Sequence, residues 1–272
     1  MDDFFKSLVG QKLDFHKHIK LIMVDDGSTD DSALIIKRWM KKYPDNIFYI
    51  WKENGGQSSA RNLGLEHVTS EWVTFVDPDD FLDVNYFYNI DSFVYKNKDK
   101  DISLLGCNVV FYFEKNNFYK ETHPLGFKFK SGDVCMPIEK IGKNIQLSAS
   151  TAIFRTKLIN DNNIRFDPEV KPAFEDAKFV QEYLLDVGNS SVGFLRDSKY
   201  YYRKREDGTS TLDTAWQKVE RFTTTPKYGY LKIIDKCYSN YGFVPEYIQR
   251  TLIYEISWHL KWLLNHQERA SF

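Results

Sequence analysis

Asp77-Pro78-Asp79-Asp80 follows directly on the apolar run Trp72-Val73-Thr74-Phe75-Val76. A short buried strand ending in clustered carboxylates fixes negative charge at the carboxyl edge of a sheet, where open α/β sheets bind ligands. Carboxylates so placed grip a divalent cation or carry protons. An Asp-x-Asp spacing lets one cation bridge protein oxygens and the phosphates of a nucleotide. A purely structural reading competes: Asp77 caps a helix, Pro78 takes its first position, and Asp79 and Asp80 complement the dipole.

Other groups of residues bear on that choice. Val24-Asp25-Asp26-Gly27-Ser28-Thr29-Asp30 closes one strand with two carboxylates and opens a helix through a glycine turn. A carboxylate there can accept from a base N–H or a ribose hydroxyl. Capping accounts for Ser28, Thr29 and Asp30, but not for Asp25 and Asp26 both crowding the strand end. Asn54-Gly55-Gly56-Gln57-Ser58-Ser59-Ala60-Arg61-Asn62 supplies flexible backbone donors and sets Arg61 one turn into a helix. A guanidinium fits a diphosphate or a uracil carbonyl; the plainer reading is a turn with a surface arginine. No Gly-Lys-Ser/Thr follows, and the three-glycine dinucleotide spacing is absent, so neither phosphate fingerprint applies. Glu175-Asp176 opens a helix carrying Val180, Tyr183 and Leu184, and taken alone reads as first-turn acids. Tyr200-Tyr201-Tyr202 leads into Arg203, Lys204 and Arg205, then Gly208-Thr209-Ser210-Thr211. Those cations either close over a diphosphate, meet a phosphate-bearing acceptor, or form a solvated edge.

The elements that must hold these residues follow from periodicity. Helices are expected at 2–11, 32–42, the segment with Ala60, Leu63 and Leu65, from beyond Phe81 to about Tyr95, 175–186, 215–234 and 246–265. Strands are expected at 19–24, 47–51, 72–76, 102–105, 148–154 and 200–202, with a hairpin in 109–131. Strand–helix alternation at the start predicts an α/β sheet with parallel strands and covering helices. In 246–265, Ile248, Leu252, Ile256, Leu260 and Leu263 make one apolar stripe, which covers the core or meets a membrane or partner; core cover is the favoured reading.

Composition narrows the class. The 272 residues are 42% hydrophobic and 28% charged, as in a soluble globular protein. An aromatic content of 16% supplies core volume and sugar-stacking rings alike. The net charge of −1 gives no field to recruit nucleic acid. Cys107, Cys135 and Cys237 are odd in number and far apart, which argues for a reducing compartment and against a zinc site. The six histidines show no ligand spacing, and His16 and His18 are expected on a surface loop. No apolar run matches a membrane span, and the start lacks a signal peptide's apolar region, so the expected location is cytoplasmic, with peripheral contact at the inner membrane face as an option.

Val24 to Ser32, Asn54 to Gly64, Asp77 to Phe81 and Phe174-Glu175-Asp176 occur in the order found in family-2 glycosyltransferases of the GT-A fold. The chain resembles that family from about residue 3 to residue 211, with 212–272 a C-terminal helical extension. The resemblance implies a Rossmann-like mixed sheet flanked by helices. It implies inverting transfer of a sugar from a nucleoside diphosphate sugar, usually a uridine one, with Mn²⁺ or Mg²⁺. By position, Asp26 with Asp25 holds the uracil, and Arg61 helps bind the nucleotide. Asp77 and Asp79 form the metal–diphosphate site, Asp79 ahead of Asp77 as direct ligand, and Asp176 of the Glu175-Asp176 pair is the general base. The 200–211 segment is similar to one in members that decorate or build wall teichoic acid and capsule polymers. It implies a polysaccharide, teichoic acid or glycolipid acceptor.

One departure matters. The family begins with an apolar strand ahead of the helix matching 2–11, and this chain starts at Met1-Asp2-Asp3. Without that strand a neighbour's ladder bonds stay unmade, so the recorded start lies too late, the sheet rearranges, or another chain fills the gap, and donor binding is expected to be weak. Whether the chain belongs to a larger parent protein stays open. Two alternatives to an active transferase stay open: a weakly active nucleotide-sugar-binding module of a larger synthase, and a sugar-1-phosphate nucleotidyltransferase. The latter expects a glycine-rich loop with a basic residue near its start, which is not found.

Overall fold

The computed structural model describes residues 1–204 and 214–266. Helix α1 (Asp2–Val9) buries Phe4, Phe5 and Leu8 and ends at Gly10, slightly short of expectation. A short helix α2 (Phe15–His18) carries the exposed His16 and His18, where a loop was expected. Strand β1 (Leu21–Asp25), helix α3 (Ser32–Lys42), strand β2 (Ile47–Trp51) and helix α4 (Gln57–Glu66) follow. Then come β3 (Trp72–Thr74), a two-residue β4 (Phe81–Leu82) and helix α5 (Tyr86–Lys96).

Two strands are much longer than their sequence signals. β5 (Ile102–Phe113) continues past the apolar run into the aromatic segment, where it hairpins with β6 (Phe118–Lys120). β9 (Ser191–Lys204) runs along β5 in parallel, and Tyr200-Tyr201-Tyr202 is only its last part. β7 (Val134–Pro137) pairs with β9, and β8 (Ala152–Arg155) pairs with both β3 and β5. Residues 148–151 form a loop ahead of β8 rather than part of a strand. Helix α6 (Thr156–Asp161) leads toward α7 (Glu175–Asp186), whose bounds match the sequence reading.

Alternation along the strands builds two core layers. Leu104, Phe154 and Phe194 pack with Phe179, Val180 and Leu184 of α7. Their neighbours Leu105, Ile153 and Leu195 pack on the other face with Phe4, Phe5, Ile90 and Phe93. Each such fully buried side chain contributes about 2 kcal/mol of hydrophobic stabilisation.

The sheet is divided. β3, β8, β5, β9 and β4 share one ladder with β6 and β7, whereas β1 and β2 bond only to each other. β1 residues Leu21 to Val24 are only half-buried, while β5 is buried along most of its length. Side chains hold the ribbon in place: Phe5 stacks on Trp39 of α3 at 5.1 Å, and Asp2 accepts from Arg38 and Trp39.

The expected helix at 215–234 is broken into a 3₁₀ turn (Val219–Arg221), a π-helical stretch (Thr225–Tyr230) and helix α8 (Leu231–Tyr241). Helix α9 (Glu246–Asn265) divides the apolar stripe: Ile248 and Leu252 are buried, Leu263 is half-buried, and Ile256 and Leu260 are exposed. Tyr230, Ile233, Cys237, Tyr247, Ile248 and Leu252 join the same core cluster as α7. All three cysteines are free thiols, and among the described residues no helix is long and apolar enough to cross a membrane.

Candidate active site

Four chain segments that are distant in sequence meet at one end of the strands. The Asp77–Asp80 turn leaves β3, Arg61 projects from α4, Glu175 and Asp176 start α7, and Ser148–Thr151 precedes β8. Arg61 Nη1 pairs with Asp176 Oδ1, and Nη2 donates to Asp77 Oδ1 at 3.1 Å. Ser150 Oγ donates to the other Asp77 oxygen at 3.1 Å, and the Ala149 amide donates to Asp176 Oδ2 at 3.0 Å. The Gln57 amide, oriented to satisfy both neighbours, donates to Glu175 at 3.2 Å and accepts from Arg61 at 2.7 Å.

Electrostatics explains why these groups tolerate each other. Burial opposes the Arg61 charge, but Asp176, Asp77 and Glu175 more than offset it and lift its proton affinity above an arginine's ordinary value. Glu175 is pushed up to about 7, first by burial and then by the adjacent Asp176 charge. Three carboxylates therefore surround one guanidinium, and Glu175 is poised to exchange a proton near neutrality.

Asp25 and Asp26 occupy the end of β1, but protein groups engage both. Asp25 caps the following turn through the Ser28 amide (2.7 Å) and accepts from Tyr49 Oη (2.6 Å). Asp26 accepts from Lys52 (2.6 Å) and from the amides of Gly55 (2.9 Å) and Gly56 (2.7 Å), fixing the loop that opens α4. Burial works against both charges, yet these bonds hold both carboxyls below the usual range. Gly27 is needed between the two loops. Its φ is +79°, and a Cβ there would lie 3.0 Å from the Asn54 amide nitrogen.

Arg203 sits behind the acidic turn. Its Nε donates to the Asp79 carbonyl (2.7 Å), Nη1 to Glu114 (2.5 Å) and Nη2 to Asp3 (3.0 Å), while its amide donates to Asp80 (2.8 Å). The guanidinium thus supports the turn from below instead of reaching over a diphosphate. Arg205 and the Gly208–Thr211 segment lie outside the described residues. Asp80 is buried, accepts from Tyr200 Oη (2.7 Å), and is raised to about 7 chiefly by burial.

Asp80 gives a stability test. In the unfolded chain an aspartate titrates near ~4. A folded-state value of about 7 means its stabilising proton is fully held below ~4 and lost as pH rises through about 7, exposing the cost of a buried charge. Asp80→Asn is neutral throughout and can keep both contacts. It is expected to exceed the parent protein by about 2 kcal/mol at pH 8 and to lose that advantage at pH 5. Thermal melts at the two pH values check this; an equal difference at both would overturn it.

Among the described residues no three Asp, Glu, His or Cys side chains form a ready cation site. Asp77 and Asp79 do offer the hard oxygen donors that Mn²⁺ or Mg²⁺ takes, so a cation there would complete its shell from substrate oxygens. A hollow of about 610 Å³ opens beside them, bounded by Met1, Asp31, Ile35, Pro78 and Asp79. A second, of about 740 Å³, lies at the far end of β3 and β8 beside Glu71 and Arg155, away from this chemistry.

Sequence reasoning missed Ser150, Gln57, Tyr200 and the supporting role of Arg203. The signal for Ser150 was present in Ser148-Ala149-Ser150-Thr151, a polar run better suited to a loop than to a buried strand.

Known proteins share this arrangement of elements. The chain is 31% identical over 260 residues to the minor teichoic acid biosynthesis protein GgaB of Bacillus subtilis, covering 96% of this chain and 28% of that protein. It is 29% identical over 212 residues to the poly(ribitol-phosphate) β-N-acetylglucosaminyltransferase TarS of Staphylococcus aureus, covering 78% of this chain and 34% of that protein. It therefore spans about a third or less of the length of these relatives. The crystal structure of S. aureus TarS 1–349 in complex with UDP-GlcNAc superposes with a TM-score of 0.70 at 25% identity, covering 90% of this chain and 64% of that one. The fold is accordingly GT-A. The glycosyl transferase family 2 model matches residues 1–160, and the chain belongs to that family.

Proposed function

We propose that this protein transfers a sugar, with inversion, from a uridine diphosphate sugar to a hydroxyl of a phosphate-bearing wall polymer such as a teichoic acid. The observation that carries this reading is the Arg61-centred cluster, which joins the acidic turn to the Glu175-Asp176 pair. The teichoic acid functions named for the relatives and the UDP-GlcNAc bound by TarS support donor and acceptor class.

In this scheme Asp176 takes the acceptor proton as the new C–O bond forms and the bond to the diphosphate breaks. Arg61 and the Ala149 amide hold that carboxylate in place. Asp77 and Asp79 would hold Mn²⁺ or Mg²⁺, which offsets the charge developing on the leaving diphosphate without supplying a proton. Asp25 and Asp26 order the strand end and the Gly55-Gly56 loop that border the nucleotide. The three free thiols fit a cytoplasmic location.

The deciding experiment is a thermal-shift screen of nucleotide sugars with Mn²⁺, followed by donor-consumption assays on Asp79→Ala. A ligand bound only by the folded state raises the melting temperature. We expect UDP-GlcNAc with Mn²⁺ to shift the melt and Asp79→Ala to abolish turnover. Turnover unaffected by Asp79→Ala would remove the metal site. UDP binding without turnover across varied acceptors would favour a nucleotide-sugar-binding module.

A further inference from the structure

Phe174, immediately before the Glu175-Asp176 pair, has φ +88° and ψ −3°. A bulky residue in the left-handed region is strained and persists only where its surroundings dictate it. Those surroundings come from the C-terminal part of the chain. The Phe174 ring packs edge-on against Tyr230 at 4.7 Å. Gly229 lies so close that a Cβ on it would come within 2.7 Å of Phe174 Cδ1. Thr225, fully buried, donates its hydroxyl to the Lys171 carbonyl at 2.8 Å, with the Ala173 carbonyl at 3.4 Å.

All three contacts fall within the π-helical stretch Thr225–Tyr230, and such stretches recur at functional sites. Other bonds tie the stretch down. Tyr230 Oη lies 3.0 Å from His259 Nε2, and Arg221 pairs with Glu255 at 2.9 Å, both partners being on α9. The far end of α7 is held as well, by Lys236 on Asp186 (2.5 Å) and Tyr241 Oη on the Leu185 carbonyl (2.6 Å).

We infer that Thr225, Gly229 and Tyr230 are positioning residues for the reaction: they impose the Phe174 conformation and so aim the Glu175-Asp176 carboxylates from the C-terminal part of the chain. This rests on the reading of Asp176 as general base. A glycine is unfavourable inside a helix, and the Phe174 ring supplies the reason for Gly229.

Thr225→Val keeps the shape and removes the donor, and Gly229→Ala presses on the ring. With UDP-GlcNAc, Mn²⁺ and poly(ribitol phosphate), both are expected to lower kcat about tenfold with KM for the donor unchanged, since small misplacements of reacting groups cost rate steeply. Thr225→Ser should restore kcat. Ile90→Val, in the opposite core layer, serves as the comparator for general destabilisation and should keep kcat. Wild-type kcat in both Thr225→Val and Gly229→Ala, alongside an inactive Asp176→Asn, would overturn the brace alone. An active Asp176→Asn would overturn the underlying reading as well.

Discussion

Asp176→Asn is expected to cut sugar transfer by about 10³-fold, the scale of a lost general base, while UDP still binds. The substitution is nearly isosteric. Asparagine can keep one of the two contacts Asp176 makes, to Arg61 Nη1 or to the Ala149 amide, so the start of α7 stays in place. What disappears is the capacity to take a proton from the acceptor hydroxyl. Such a loss is made only in the transition state and lowers kcat and kcat/KM together. Removing the Asp176 charge also lowers the proton affinity of Glu175, because that charge is the second cause of its rise to about 7. Donor consumption and calorimetric titration with UDP and Mn²⁺ measure the two halves. If transfer stays within about tenfold, the base is not Asp176, and Glu175 inherits the role.

Arg61→Met should produce the largest stability loss of any single change in the site. The guanidinium is buried and faces Asp77, Asp176 and Glu175, with Phe166 and Phe75 beside it. Removing one member of a buried ion cluster leaves charge uncompensated, at a cost of about 3–5 kcal/mol. The deficit should depend on pH with a definite sign. Glu175 is raised to about 7 with Arg61 beside it, and losing the Arg61 charge raises it further, so the variant keeps Glu175 protonated and shows its full deficit only as pH climbs above the parent's value. Urea unfolding should show a large loss at pH 8 and a clearly smaller one at pH 6. Equal losses would mean that the cluster is not electrostatically coupled. Added Mn²⁺ should recover part of the pH 8 loss, since a cation can replace the missing positive charge beside Asp77.

The sequence foretold the elements whose signals are local. α3, β2 and α7 have the bounds read from apolar periodicity, and the acidic turn follows a strand as its composition required. The misreadings share one cause, a dependence on partners remote in sequence. β9 extends to 14 residues because β5 pairs with both its ends, and nothing in the sequence signals that Arg196-Asp197-Ser198 bulges out of the register between Leu195 and Lys199. The 215–234 segment looks like one helix by spacing, but it must seat Gly229 on Phe174 and Thr225 on Lys171, and the regular helix gives way there. Within the site, the residue types were legible and their connections were not. Asp26 and Arg203 carry the charges their positions suggested. Yet Asp26 serves the Gly55-Gly56 loop and Arg203 serves the Asp79 carbonyl, pairings no spacing reveals.

The two-stranded β1–β2 ribbon makes local opening cheap on one side of the molecule. Its backbone bonds are exchanged only within the pair, so it can part from the seven-stranded ladder without breaking a rung of it. What opposes that motion is side-chain packing, above all Phe5 on Trp39 and the bonds from Asp2. The half of the site that carries Asp25 and Asp26 is therefore expected to act as a separate cooperative unit, less protected against hydrogen exchange than the half that carries Asp176. A nucleotide spanning both halves would tie the two units together, and the ordering of the ribbon would be part of the binding free energy.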